Sequence, residues 1–245
     1  MRRRRTYARK RSYKRRRTTR RARPRGRRYR TRRSITGHRN SRTVFRKTLA
    51  PDWIYQKCVY TYRTNVVVGG PGIATNYPIA GNNIYNPDPQ RVTETVAGYS
   101  MFIANYQYWT VLGSSIRVRV ITNNDAIFSL VIRPYQQQIL FGTGTTLDDQ
   151  LEQPRLMNRI VGSRYGGKSY TQMKAYQGTS KILEVDRKYL RSEQAYSGTV
   201  AVGPAVPWWW NIGFIPVFPT ATPEFAFEVK VVYYTQWKYK NPIVS

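Results

Sequence analysis

The chain has 245 residues, 40% of them hydrophobic, and a formal net charge of +30 from 42 Lys or Arg against 12 Asp or Glu. One cysteine, Cys58, and one histidine, His38, exclude an intrachain disulfide framework and the usual four-ligand Cys/His zinc sites. Residues 1–50 hold 24 of the basic side chains and no acid, leaving 18 basic against all 12 acidic ones in the other 195 residues; this segregation marks a tail for a polyanion, either nucleic acid or an anionic membrane.

Two parts are therefore expected: a basic arm over 1–50 and one folded domain over 51–245, long enough for one sizeable all-β core. Residues 1–33 of the arm have almost no aliphatic side chain to bury, so they cannot offset their ordering entropy and are expected to be disordered when free. The candidate nucleic-acid-binding cations of the arm's first 33 residues are Arg2, Arg3, Arg4, Arg5, Arg9, Lys10, Arg11, Lys14, Arg15, Arg16, Arg17, Arg20, Arg21, Arg23, Arg25, Arg27, Arg28, Arg30, Arg32 and Arg33. Arg dominates, and its planar, permanently charged fork matches phosphate oxygens, which favours nucleic acid over a generic anionic surface. Tyr7, Tyr13 and Tyr29 interleave the charge and suit stacking on unpaired bases. The same clusters fit a nuclear-localisation address. A histone-like or ribosomal protein would carry a similar tail, so the arm identifies a ligand class and the folded domain must decide the rest. No apolar run follows the positive N-terminus, so a secretory leader of that kind is not expected.

Beyond residue 50, short strand patterns alternate with Gly, Pro and Asn. WIYQKCVYTYRTNVVV (53–68) is β-branched and aromatic, and GGPG (69–72) stops it. Cys58 lies within its apolar-polar alternation and reads as packing. IRVRVIT (116–122) places Ile116, Val118 and Val120 on one face and Arg117 and Arg119 on the other. AIFSLVIRP (126–134) follows after NND, as a paired strand. EFAFEVKVVYYTQWKYK (224–240) puts Phe225, Phe227, Val229, Val231 and Tyr233 on a shared face. Helical signal is confined to short pieces near 100–107 and 146–153. The segments 69–98 and 135–172 read as long loops. With no regular strand-helix alternation, the expected fold class is an all-β, antiparallel β-sandwich.

Residues 195–223 carry no charge, but Pro204, Pro207, Pro216, Pro219 and Pro223 interrupt them, which suits buried strand and loop rather than a membrane-spanning helix. Within this run, base stacking by Trp208, Trp209 and Trp210 would require two of them to face away from the opposite sheet. Core plus subunit interface fits the alternation better.

GSRYGGKS, Gly162 to Ser169, fits the P-loop template at every fixed position, with Lys168 as the point charge and Ser169 as the magnesium ligand. That motif needs a buried parallel strand before it and a helix starting at the Lys. Arg155, Asn158 and Arg159 spoil the strand, and Glu184 spoils ILEVD as a magnesium-holding strand end, so a Gly-rich surface turn is expected and no enzyme activity. One histidine in a basic loop supplies neither a paired-His metal site nor a Ser-His-Asp system. Asp148, Asp149 and Glu152 form an acidic cluster that reads as a solvated loop face before it reads as a cation site. No cofactor is expected.

SMFIANYQYWTVLGSSIRVRV (100–120), GGKSYTQMKAYQGTSKILEV (166–185) and PWWWNIGFIP (207–216), followed by a β-rich end at YTQWKYK and preceded by an Arg-rich arm, resemble the capsid proteins of circoviruses and related small circular single-stranded DNA viruses. The resemblance covers essentially the whole chain. It implies an eight-stranded antiparallel jelly roll, about sixty copies in a T=1 icosahedral shell, and packaging of circular single-stranded viral DNA. It also implies location in the virion and the host nucleus, with host nuclear import receptors and a host cell-surface receptor as partners. Arg117 and Arg119 become candidate inner-surface DNA contacts.

Overall fold

A computed structural model of the chain describes residues 52–67, 73–91, 94–139, 152–166, 169–218 and 220–240. Among these, eight strands run in chain order: β1 (Trp53–Val67), β2 (Thr75–Ala80), β3 (Tyr106–Thr122), β4 (Phe128–Tyr135), β5 (Met157–Val161), β6 (Tyr170–Gly178), β7 (Trp209–Pro216) and β8 (Glu224–Lys240). They form two four-stranded sheets in the orders β1-β8-β3-β6 and β2-β7-β4-β5, with every pairing antiparallel. Only β4 and β5 are both consecutive and paired; elsewhere each strand crosses to the opposite sheet. That winding is the eight-stranded jelly roll.

The alternation within the strands explains which face each sheet buries. Ile116, Val118 and Val120 of β3 and Phe225, Phe227, Val229, Val231 and Tyr233 of β8 are all buried, while Arg117, Arg119, Glu228 and Lys230 lie on the opposite side of the same strands. Between the sheets the core is aromatic: Phe225 packs with ring centroids 4.7 Å from Phe128 and 4.3 Å from Phe214. Trp208 and Trp210 are fully buried, and their indole N–H groups donate to Thr179 Oγ1 at 3.2 Å and Ser114 Oγ at 2.9 Å. Both indoles contribute large apolar area while their polar ends stay satisfied.

Three expectations are corrected. AIFSLVIRP does not pair with the preceding strand, because β3 and β4 belong to different sheets. The Asn123–Asp125 link is a corner rather than a hairpin turn: Asn124 donates to Thr222 O and accepts from Ala126 N, and Asp125 accepts from Ser163 Oγ. β4 is also buried on both faces, with Val131 packed beside Ala74 and Ile215 on the outer side of its sheet, so it lacks the alternation of a solvated hairpin strand. Next, the segments read as loops over 69–98 and 135–172 contain β2 and β5, short strands whose polar residues mask them. Finally, helix occurs at α1 (Tyr99–Ile103) near the expected place. It also forms at α2 (Thr179–Ile182) and α3 (Arg187–Ser192), where Asp186 caps α3 by accepting from Lys188 N at 2.8 Å. Of the expected piece at 146–153, residues 146–151 lie outside the described residues, and Glu152 and Gln153 are not helical.

Polar side chains fasten the segment after β2 to both sheets. Buried Asp88 accepts from Tyr77 OH at 2.5 Å and from Gln90 N at 2.9 Å. Tyr60 OH lies 3.3 Å from Asp88 and 3.1 Å from Glu94. Burial first, and the neighbouring carboxylate second, push both phenols well above the ordinary tyrosine range.

Candidate nucleic-acid interface

The twenty cations from Arg2 to Arg33, together with Tyr7, Tyr13, Tyr29 and His38, lie outside the described residues. Arg117 and Arg119 are described, and they stand on the outward face of the β1-β8-β3-β6 sheet.

Antiparallel register arranges that face in ranks running across the four strands. One rank is Arg63, Glu228, Arg119 and Gln172, and the next is Thr61, Lys230, Arg117 and Lys174. Two further ranks hold Val59, Val232, Ser115 and Tyr176, then Lys57, Tyr234, Gly113 and Gly178. Six cations and one carboxylate therefore occupy four ranks. Glu228 Oε2 takes Arg63 at 2.7 Å, while Oε1 faces Arg119 at 3.5 Å and Arg117 at 3.6 Å. Arg119 Nε also donates to Gln172 Oε1 at 3.1 Å. Arg117 Nε is buried without an acceptor.

Two open furrows lie on this face. One, of about 600 Å³, is lined by Arg63, Asn65, Arg119, Tyr170 and Glu228 among others; the second, of about 400 Å³, is lined by Arg117, Lys174, Tyr176 and Lys230. A pocket of about 310 Å³ continues from Tyr176 and Tyr234 toward Lys181, Arg187 and Arg191 of α2 and α3. Beside it Lys238 Nζ donates to Arg191 O, and burial, with Arg191 as a second cause, lowers its pKa. Sequence reading found Arg117 and Arg119 but missed Lys174, Tyr176 and Lys230. The signal was present, since strict alternation in YTQMKAYQG puts Tyr170, Gln172, Lys174 and Tyr176 on one face.

The other candidates stay apart. In GSRYGGKS, Gly167 and Lys168 lie outside the described residues; the stretch follows β5, an antiparallel edge strand, and Ser169 leads directly into strand β6. A P-loop needs a parallel strand before it and a helix after it, and the structure supplies neither here. Arg155 precedes β5 and Arg159 belongs to it, so the segment is a strand despite its polar residues: Asn158 and Arg159 are exposed at the sheet edge, and Arg159 donates to Gln172 O at 2.9 Å. Glu184 sits at φ 57 in a turn after α2. Asp148 and Asp149 lie outside the described residues, and Glu152 is exposed; among the described residues no three acidic, His or Cys side chains gather as a metal site. Cys58 is buried, and desolvation raises its thiol pKa, which suits packing rather than reactivity. Trp208 and Trp210 face the core and Trp209 the other side, so two of the three are closed to base stacking.

No known family's sequence profile matches the chain, and no curated protein matches it in sequence. Among solved structures, it is similar to the 60-mer of BFDV capsid protein at TM-score 0.44 and 11% identity, over 81% of this chain and 99% of that one. The decameric BFDV capsid protein gives 0.42 and 11% over 76% and 99%, and Mud crab tombus-like virus 0.42 and 11% over 80% and 94%.

Proposed function

We propose that the protein is a viral coat protein that assembles with about sixty copies of itself into a small T=1 shell and packages circular single-stranded DNA through its basic arm. One observation carries the reading: 24 of the 42 basic side chains occupy the first 50 residues, joined to a jelly roll whose two sheets have their own aromatic core. The rigid sandwich supplies a wall, its connections supply contact surfaces, and the arm supplies charge. Sixty copies would bring about 1,440 arm cations inside one shell, each able to replace a counterion on a phosphate. Arg117 and Arg119 belong to the DNA-facing side in this reading. The Lys/Arg clusters of the arm serve as the address read by host nuclear import receptors, and the exterior connections meet a host cell-surface receptor. The protein thus works in the virion and in the host nucleus, and its role is structural rather than enzymatic.

Deleting residues 1–33 removes 20 of the arm's 24 cations. The expected product still forms particles by electron microscopy but loses its nucleic acid, read as a fall in the absorbance ratio at 260 and 280 nm. Unchanged nucleic-acid loading at physiological salt would refute the role given to the arm.

A further inference from the structure

We propose that the outward face of the β1-β8-β3-β6 sheet is a second binding track for single-stranded DNA, separate from the arm, with phosphates on Lys230, Arg117 and Lys174 and bases on Tyr176 and Tyr170. The inference rests on the DNA-packaging reading and assigns the folded domain its own share of the contact.

Register makes Lys230, Arg117 and Lys174 direct neighbours on three adjacent strands, about 4.8 Å apart per strand step. Like charges placed directly opposite one another destabilise a sheet, so this rank gains stability when an anion lies across it. The protein does not provide that anion. Glu228 is the one carboxylate in the four ranks and already faces three guanidinium groups, and neither Lys174 nor Lys230 has an ion pair among the described residues. Arg117 Nε, buried without an acceptor, is a further donor awaiting an oxygen.

The ligand is single-stranded because the same face presents aromatic rings. Tyr170 is 51% exposed and Tyr176 62%, the latter edge-on to Tyr234 at 5.8 Å. Such rings beside cations suit unpaired bases, which have free π-faces, whereas a duplex hides them. Same-face residues recur about every 6.6 Å along a strand, so the ranks from Arg63 to Lys57 span about 20 Å. At 3.4 Å per stacked nucleotide that is about six nucleotides, within the usual size of such platforms. Charge excludes the chain's own arm as the occupant, and likewise the same face of a second copy.

The test is lysine-acylation footprinting by mass spectrometry on the full-length protein, with and without a twelve-nucleotide oligothymidylate, at one assembly state verified by light scattering. Lys174 and Lys230 are expected to lose at least about threefold in reactivity as phosphates cover them, and ultraviolet irradiation is expected to attach thymidine to the peptide containing Tyr176. Protection of Lys10 and Lys14 alone, with Lys174 and Lys230 unchanged, would overturn the track and leave the arm's role standing. Lys174 and Lys230 unreactive in both samples would show the face covered by another copy, and would also overturn it. Protection at neither place would defeat the DNA-packaging reading itself.

Discussion

Replacing Glu228 by Gln should weaken the fold and strengthen DNA binding together. The carboxylate lies 2.7, 3.5 and 3.6 Å from Arg63, Arg119 and Arg117 and is 14% exposed. A unit-charge pair at 3.5 Å is worth about 1.2 kcal/mol even in a water-like dielectric. Arg63 is 75% exposed and its pair is discounted for screening. The two pairs with the half-covered Arg117 and Arg119 set the scale, for a net loss of about 1–2 kcal/mol after the relief of desolvating one charge fewer. For a domain of this size that lowers Tm by about 2–8 °C. Differential scanning fluorimetry at low and at high salt checks it, since screening over about 3 Å at 1 M salt should shrink the deficit. Losing the only carboxylate in the ranks raises their charge, so less oligothymidylate should half-protect Lys230. A variant as stable as the parent at low salt, or one whose Lys230 needs more DNA for protection, would refute the electrostatic account of this face.

Gly198→Ala should be poorly tolerated. Its added carbon would sit 2.1 Å from Trp109 Cζ2, and that fully buried indole is held by backbone pairing of Trp109 with Gly198 and by Nε1 donating to Thr199 O; a urea midpoint unchanged from the parent would contradict an overpacking cost of about 1–3 kcal/mol. Alkaline pH should unfold the domain. Burial holds the Tyr99 phenol up at about 12, and Tyr60, Tyr77 and Tyr233 are also raised. The folded state thus binds these protons more tightly than the unfolded chain, whose tyrosines titrate near 10, so the stability they give is complete below about pH 10 and drains as pH climbs through 12. Circular dichroism showing a fold indifferent to pH between 9 and 12 would contradict this. Lys168→Ala should change no nucleotide chemistry, and a saturable phosphate release from ATP that disappears in this variant would overturn the reading of GSRYGGKS.

Alternation made much of the β1-β8-β3-β6 sheet legible: β1, the second half of β3, and β8 follow period two with one buried face, as Val118 against Arg117 shows. The other sheet was harder to read. β4 is buried on both sides and β2 and β5 are only 6 and 5 residues long, so neither length nor alternation separates them from loop. The pairing of β3 was misread because a short polar link such as Asn123–Asp125 fits a hairpin locally, and only the burial of β4's outer face, set by Ala74 and Ile215 from distant segments, sends it to the opposite sheet. For the candidate site, Arg117 and Arg119 were visible within one strand. The rank Arg117 shares with Lys230 and Lys174 depends on register between strands far apart in sequence, which no local pattern carries.

The most direct measurement is the size of the purified full-length protein by negative-stain microscopy with light scattering. Sixty copies of a domain of this length tile a closed shell about 20 nm across, and uniform particles of that diameter are the predicted result. A monodisperse species near 28.7 kDa that stays soluble with DNA bound would contradict the coat-protein account and favour a basic-tailed binding module.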